Sequence, residues 1–501
     1  MKLYFETSNF PWSPERYRYA AEQMMLTLFP EERPEYPEGP LPGDMICEKD
    51  AAVFTLHRGR ARTDLSVLVF RPQGYHNGVA RFPSQELDRS PEEVYHTVQH
   101  ALKLAFYRAG TALLGREPPW GALTGVRPVK LPTRALLAGS TPEQAQKELE
   151  QEYRVSPQRA KLAVDCARAS VEALRSLRPG EVSLYIGIPF CPTRCAYCSF
   201  VSADVGRTLK LVEPYLEGLL QEVEETGRTL EELGLTIRSF YMGGGTPTTL
   251  TAGQMDRLLA KCQEVLPLSG CTERTVEAGR PDTITREKLE VLRARSVGRI
   301  SINPQTLRAE VLEAIGRGHS AGDIRTAYAL ARDVGFDCIN MDLIAGLPRD
   351  SFAGFRDSLE GVLAMGPENV TVHTLALKKG SRLMEDGGAL PDGDEVAKML
   401  DWSRQVLTAH GHLPYYLYRQ KYMSGSLENV GWARPGTESL YNIVMMEELH
   451  TVISLGAGGV TKLIAPGKIL RLANPKFPQD YLSGLDKVLG QKQDIKTFYQ
   501  Q

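Results

Sequence analysis

Hydrophobic residues recur along this chain with two different periods, and the change of period near residue 180 divides it. Before that point, Ala51-Ala-Val-Phe-Thr-Leu and Leu65-Ser-Val-Leu-Val-Phe have the apolar, β-branched character of strands. Ser90-Pro-Glu-Glu opens a long helical pattern that runs through Leu114. Ser90 is the N-cap, Pro91 fits the first turn, and Glu93 completes a capping box. Pro118 and Pro119 interrupt the chain. Helical spacing returns from Pro142 to about Leu177, and Arg178-Pro179-Gly180 ends it. Residues 1–180 are therefore expected to form an N-terminal α+β domain, to which the sequence assigns no role.

From Glu181 onward the pattern becomes strand, then helix, repeated. The expected strands are Val182–Pro189, Ile237–Met242, Arg274–Ala278, Arg299–Asn303, Asp337–Ile344 and Asn369–Leu375. Helical stretches separate most of them, among them Leu209–Leu233, Ala252–Leu266, Arg286–Ala294, Ala321–Val334 and Phe352–Met365. Such alternation implies parallel strands joined by right-handed crossovers, with function gathered at the C-terminal strand ends. Six units form a partial barrel more readily than a closed eight-stranded one. The expected fold class is α/β, a partial (β/α)6 TIM-like barrel over residues 181–388. After about Ala389 the pattern turns irregular and aromatic-rich, and 389–501 reads as a C-terminal extension.

Composition narrows the class. A chain of 501 residues suggests roughly two to four domains. With 42% hydrophobic and 24% charged residues, a largely disordered protein is excluded. The formal net charge of -2, without a long basic block, gives no sign of a nucleic-acid partner. No run of about 18 apolar residues suggests a membrane span. Met1–Phe10 lacks a signal-peptide core, so a cytoplasmic protein with reduced cysteines is expected. Of the eight cysteines, Cys47, Cys166, Cys262, Cys271 and Cys338 are scattered and read as buried or idle thiols.

The other three fall in Leu184-Tyr-Ile-Gly-Ile-Pro-Phe-Cys191-Pro-Thr-Arg-Cys195-Ala-Tyr-Cys198, directly after a strand. Four thiolates would fill an iron–sulfur cubane; three leave one iron without a protein ligand. That iron can take an exogenous chelator, such as the amino and carboxylate groups of S-adenosylmethionine (SAM). An electron passed to the SAM sulfonium then breaks a carbon–sulfur bond and gives a 5′-deoxyadenosyl radical, chemistry that belongs to the cofactor. Zinc is the competing occupant. It prefers a fourth protein ligand in structural sites, and no Cys or His follows within twenty residues.

A glycine run ends the second expected strand, in Phe240-Tyr-Met-Gly243-Gly244-Gly245-Thr246-Pro247. Glycines there let backbone approach a ligand closely, and strand-end carbonyls with the Thr246 hydroxyl suit an ammonium group. The plainer reading is a tight strand-to-helix turn.

Cysteine spacing, aromatic flanks and Gly-Gly-Gly-Thr-Pro together resemble the radical SAM superfamily. More narrowly they resemble its oxygen-independent coproporphyrinogen III dehydrogenase (HemN-like) group, from about Ser183 to Arg382 and more faintly to Lys462. Trp120-Gly-Ala-Leu-Thr-Gly-Val-Arg127-Pro and Leu427-Glu-Asn-Val-Gly-Trp432 resemble the HemZ branch. The resemblance implies one [4Fe–4S] cluster on Cys191, Cys195 and Cys198, and one or two SAM molecules. By the same resemblance, Tyr185 contacts SAM and Tyr197 packs on the cluster or adenine. Gly244, Gly245 and Thr246 take the SAM amino group, and Glu277 binds a SAM hydroxyl. Gln305, Arg317 and Asp342 help hold SAM, including a second molecule, and Ala376 falls near a backbone contact. Read without the family, Glu277 is a natural partner for ribose hydroxyls or a solvated strand-end charge. Asp342 is an acid inside an apolar strand, costly to bury unless paired or bound.

Two positions depart from the family. Gly187 stands where relatives usually have histidine, on which the HemW heme-chaperone reading leans, and Phe200 stands where HemN carries an extra cysteine. A substrate with four propionates needs Arg or Lys groups and an aromatic floor. Arg419, Lys421, Arg434 and Lys462 amid Tyr415, Tyr416, Tyr418, Tyr422 and Trp432 are candidates, with Arg127 and Lys130 weaker ones. An ordinary amphipathic surface or domain interface is the plainer account of them. The expected activity is oxidative decarboxylation of coproporphyrinogen III propionates to vinyl groups. A radical SAM enzyme that modifies or degrades heme or another tetrapyrrole is one alternative; a heme-binding or delivery protein with a structural cluster is another. A tetrapyrrole substrate and an electron donor such as flavodoxin or ferredoxin are the implied partners, with the electron acceptor unassigned.

Overall fold

The computed structural model describes all residues except 7–9, 14, 38–49, 199–202, 379, 386–390, 421–422 and 501, and only the backbone of 203–207. Two compact units emerge. One comprises Met1–Val164 with Arg419–Leu427, the other Asp165–Tyr418 with Glu428–Gln501.

In the first unit, β1 (Lys2–Phe5), α1 (Glu15–Leu28), β2 (Ala51–Arg58), β3 (Arg62–Arg71), β4 (Gly74–Pro83) and α2 (Pro91–Leu114) form a layered α+β core. β1 lies parallel to β2, and β2-β3-β4 is an antiparallel meander. One sheet face buries Phe54, Leu56, Val67 and Val69 against Met24, Leu28, Val98, Leu102 and Phe106 of the two helices. Each such side chain stabilises the fold by about 1.5–3 kcal/mol on leaving water. The capping box at Ser90 and Glu93 is present, and Gly115 closes α2 with φ 64°. Next come α3 (Lys130–Leu137), α4 (Pro142–Tyr153) and α5 (Pro157–Ser176), whose residues from Asp165 onward belong to the second unit. The single helical stretch expected over 142–177 is thus two helices. Arg154 turns left-handed at φ 57°. Pro157 lacks an amide hydrogen and disfavours helical geometry at Ser156.

The second unit carries the repeated strand–helix pattern. Its elements are β5 (Glu181–Ile188), β6 (Phe190–Cys191), β7 (Ala203–Asp204), α6 (Val205–Glu232), β8 (Thr236–Gly244), α7 (Ala252–Val265), β9 (Glu273–Glu277) and α8 (Arg286–Ala294). They continue with β10 (Arg299–Ser301), α9 (Ala309–Ala314), α10 (Ala321–Asp333), β11 (Cys338–Ala345), α11 (Phe352–Met365) and β12 (Asn369–Thr374). Six strands run parallel in the order β5-β8-β9-β10-β11-β12. The alternating α/β class and the partial barrel expected from the sequence are both present.

The remaining elements are α12 (Arg382–Glu385), α13 (Gly393–Ala409), β13 (Leu413–Tyr418), β14 (Asn429–Ala433), α14 (Leu440–Glu447), β15 (Val452–Leu455), β16 (Val460–Ala465), β17 (Lys468–Ala473), α15 (Pro478–Ser483) and α16 (Leu485–Gln500). They join both edges of the same sheet. β14 is antiparallel to β12 and carries β13; β15 is parallel to β5 and carries β16 and β17. The result is an open sheet of eleven strands. Glu222 of α6, fully buried, receives hydrogen bonds from Gly456 N, Asn474 Nδ2 and Tyr481 O–H and pairs with Lys492, which ties α15 and α16 to the barrel. Among the described residues no helix is long and apolar enough to cross a membrane.

Candidate active site

The cysteine loop leaves the C-terminal end of β5, where the alternation of the sheet stops. Cys191 ends β6, and Cys195 and Cys198 follow on the loop, Cys195 buried. Backbone bonds hold the loop in place: Ala196 N–H donates to Ile315 O at 2.9 Å, and Leu383 N–H to Ala196 O at 3.0 Å. Arg280, 3% exposed, reaches it from beyond β9. Its guanidinium donates to Thr193 O at 3.2 Å and Thr193 Oγ1 at 2.8 Å. Asp282 fixes it through paired bonds of 3.0 and 2.8 Å. Sequence reasoning missed this arginine; its only signal is the Gly-Arg-Pro-Asp turn two residues past Glu277.

The glycine run lies beside that loop. Thr246 N–H donates to Phe190 O at 2.7 Å and Gly245 N–H to Ile188 O at 2.8 Å, while Thr246 Oγ1 stands 3.4 Å from Cys191 Sγ. Gly244 has φ +110°, a region side chains rarely adopt. A Cβ on Gly245 would meet Phe190 O at 2.6 Å, and one on Gly243 would meet the Glu277 carboxyl at 2.8 Å. Each glycine is therefore a space requirement, beyond what a turn alone demands.

Side chains from successive strands face one lumen. Tyr185 on β5, Tyr241 on β8 and Tyr441 on α14 pile face to face, with centroids 6.3 Å apart from Tyr185 to each and 4.5 Å between the latter two. Tyr241 O–H donates to Glu277 Oε1 at 2.7 Å. Burial pushes the Glu277 carboxyl up to about 7; the Tyr241 bond opposes this and the Asp342 charge adds to it. Asp342 fares differently. Burial works against its charge, but the His373 ring and the Asn340 and Thr371 side chains outweigh it, and the carboxyl stays below its ordinary range.

Gln305 follows β10 with φ +65°, its N–H donating to Asp342 O at 2.9 Å. Arg317, 8% exposed, donates to Asn303 O at 2.6 Å and Tyr197 O–H at 3.2 Å. Gln305 Oε1, Asn303 Oδ1 and Arg317 Nε are buried without a partner among the described residues. His319 likewise has both ring nitrogens unpartnered, and burial with the charges of Arg317 and Arg280 pushes it down to about 4. Ala376 lies half-buried just past β12. The structure thus brings Tyr185, Tyr197, Gly244, Gly245, Thr246, Glu277, Gln305, Arg317 and Asp342 to the C-terminal strand ends and the lumen they enclose.

Three thiols on one loop, a backbone cradle that excludes Cβ atoms, and orphaned buried acceptors beside an arginine fit a cluster with a polar organic ligand. Among the described residues no three His, Cys, Asp or Glu side chains stand close enough together to hold a metal ion.

The cationic cluster expected around the C-terminal tyrosines does not assemble. Arg419 belongs to the first unit, where its guanidinium donates to Leu123 O and Ser426 O and stacks 5.3 Å over Trp120. Arg434 follows β14, whose Ala433 pairs with Asn369, so it emerges at the N-terminal end of β12. Lys462 is opposite Val452, which pairs with Ser183 at the start of β5, again the far end. Tyr415, Tyr416 and Trp432 are buried in the β13–β14 edge, where the hydroxyl of Tyr416 reaches Thr371 and that of Tyr418 reaches His373. Arg127 and Lys130 lie in the first unit. Cys47, Phe200, Lys421 and Tyr422 lie outside the described residues.

Fold and loop together define the class: residues 185–360 match the Radical SAM superfamily, so this is a radical SAM protein. The chain is 42% identical over 402 residues to the oxygen-independent coproporphyrinogen-III oxidase-like protein HemZ of Bacillus subtilis, covering 79% of this chain and 80% of that one. It therefore belongs to the HemZ family of oxygen-independent coproporphyrinogen-III oxidase-like proteins. It is also 33% identical over 282 residues to the heme chaperone HemW of the same organism, covering 55% of this chain and 69% of that one. The solved structure of HemN from Escherichia coli, described as a radical SAM enzyme and coproporphyrinogen III oxidase, matches with a TM-score of 0.51 at 23% identity over 64% of this chain and 72% of that one, a likeness of fold.

Proposed function

We propose that this protein carries out oxygen-independent oxidative decarboxylation of coproporphyrinogen III, turning two propionates into vinyl groups to give protoporphyrinogen IX. One observation carries the reading. The match to the oxidase-like relative extends over 402 residues, well past the radical SAM segment at 185–360. When bound, a [4Fe–4S] cluster with SAM supplies one-electron chemistry that ends in hydrogen abstraction from an unactivated carbon.

The residues take these parts. Cys191, Cys195 and Cys198 hold the cluster, and Arg280 holds their loop. Gly244, Gly245 and Thr246 receive the SAM amino group, Glu277 accepts from its hydroxyls, and Tyr185, Tyr197, Gln305, Arg317, Asp342 and the Ala376 backbone complete the SAM site. The pile of Tyr185, Tyr241 and Tyr441 floors the lumen and keeps water from it. Each propionate would give up a hydrogen atom from its β-carbon to the SAM-derived radical, then carbon dioxide, and pass one further electron to an external one-electron acceptor. A small electron-transfer protein such as flavodoxin or ferredoxin is the donor we assign, in the cytoplasm.

The HemW relatives support a second reading, a heme-binding or delivery protein whose cluster is structural. A radical SAM enzyme that modifies or opens another tetrapyrrole is a third. Anaerobic incubation of cluster-loaded protein with dithionite, SAM and coproporphyrinogen III, read by mass spectrometry, decides among them. Vinyl product with 5′-deoxyadenosine supports the decarboxylase. Deoxyadenosine without loss of carbon dioxide points to other tetrapyrroles. Stoichiometric heme binding without SAM turnover supports delivery.

A further inference from the structure

The lumen face of β11 and β12 carries a polar network that the SAM-site residues do not account for. Asn340 and Asp342 alternate on β11, Thr371 and His373 on β12, and the parallel register sets Asp342 against Thr371. Four alternating side chains on adjacent strands therefore share one face. Asn340 Nδ2 donates to Asp342 Oδ1 at 2.7 Å, and Thr371 Oγ1 donates to Asn340 Oδ1 at 3.1 Å. His373 Nε2 stands 3.6 Å from Asp342 Oδ2, and Tyr418 O–H stands 3.5 Å from His373 Nδ1. Tyr416 O–H donates to Thr371 Oγ1 at 3.5 Å.

The imidazole thus has a carboxylate at one nitrogen and a phenol at the other. A proton on Nε2 would face the carboxylate and leave Nδ1 to accept from Tyr418. The titratable groups facing this pair are Asp342 on β11, Glu277 on β9, Tyr241 on β8, and Tyr416 and Tyr418 on β13. Every one of these is an acid, so two carboxylates share this lumen with the His373 ring.

We propose that His373 is a positioning residue for the SAM site: it orients the Asp342 carboxyl beside Glu277, with Tyr418 holding the ring from its other side. This rests on the reading that Asp342 contacts SAM. The split between the two carboxylates, Asp342 low and Glu277 raised, agrees with it, because groups that differ only in their neighbours are pushed apart.

Two measurements on cluster-loaded protein test it. Without SAM, His373→Phe and Asp342→Asn are melted singly and together at pH 7.5. Coupling through the pair predicts that the double variant melts no lower than the worse single variant, whereas additive losses overturn the pairing. With SAM at pH 7.5, His373→Phe is expected to weaken binding about tenfold. His373→Gln, which keeps an amide N–H to donate, should stay within about threefold of the parent. An unchanged affinity in His373→Phe, or an equal loss in His373→Gln, overturns the positioning role. A parent protein that binds no SAM at all sinks the functional reading instead, and the melting cycle then decides the His373–Asp342 pair by itself.

Discussion

Glu277 offers a perturbation whose size follows from the geometry. Its carboxyl, pressed against the glycine run and bonded to Tyr241, titrates at about 7 in place of the ordinary 4.5. At about 1.4 kcal/mol per pH unit, ionising it in the folded SAM-free protein costs about 3 kcal/mol at most. The sign follows from proton counting. Between pH 4.5 and about 7 the folded state binds more protons at this site than the unfolded state, so stability falls as pH rises through that window and is level above it. Glu277→Gln removes the titration while keeping the shape. It should therefore stabilise the SAM-free protein relative to the parent by an amount small at pH 5 and full at pH 8. The amide forms a weaker bond with Tyr241, so the net gain at pH 8 is nearer 1–2 kcal/mol. For a unit of this size that is about 1.5–3 °C in Tm. Differential scanning calorimetry of both proteins at pH 5, 6.5 and 8 without SAM is the assay. A difference that is flat with pH, or that shrinks toward alkaline pH, would refute the burial argument. On the SAM-site reading, the same variant loses affinity for SAM while gaining stability.

Three further perturbations follow from single contacts. Arg280→Met frees Thr193 and should lower iron and sulfide content after anaerobic reconstitution, with the melting temperature of apo-protein nearly unchanged; a full cluster complement in the variant would remove Arg280 from the cluster's support. Lys492→Met leaves Glu222 buried with its charge unpaired, and urea denaturation should show a loss of about 3–5 kcal/mol. For Gly187→His, a Cβ lies 3.0 Å from Ala457 O and 3.5 Å from Leu455 O, so a loss of about 1–3 kcal/mol in the same assay is expected, and an unchanged midpoint would contradict it.

The barrel strands were legible because each is a short apolar run, and their helices because Thr251, Ser320 and Ser351 cap them with local chemistry. What local pattern could not reveal was pairing at long range. β15 lies about 270 residues after β5 and pairs with it in register, Val452 with Ser183, which no period in either segment announces. The same holds for β14 on β12, so residues that read as an irregular extension complete both edges of the sheet. β1, α1 and β4 went unread: β1 has four residues, and β4, with burial alternating only near its end, shows little periodicity.

The site divides along the same line. Cysteines and glycines are visible in sequence because their chemistry depends on residue type and close spacing. The residues that tune them, Arg280 at Thr193 and His373 at Asp342, sit at separations of 87 and 31 residues and emerge only from register. Sequence interleaving misled for the cations because chain direction reverses between them. β13 runs toward the lumen end and β14 runs back, so Arg419 and Arg434, fifteen positions apart, leave the hairpin at opposite ends. Among the described residues, Arg194, Arg280, Arg317 and Arg382 lie around the cysteine loop and the strand ends, and each is committed to a backbone carbonyl. An acidic lumen under a ring of committed arginines sets a constraint on any substrate with several carboxylates. On the proposed function, such arginines would bind its carboxylates only by exchanging a carbonyl for a stronger, charged acceptor.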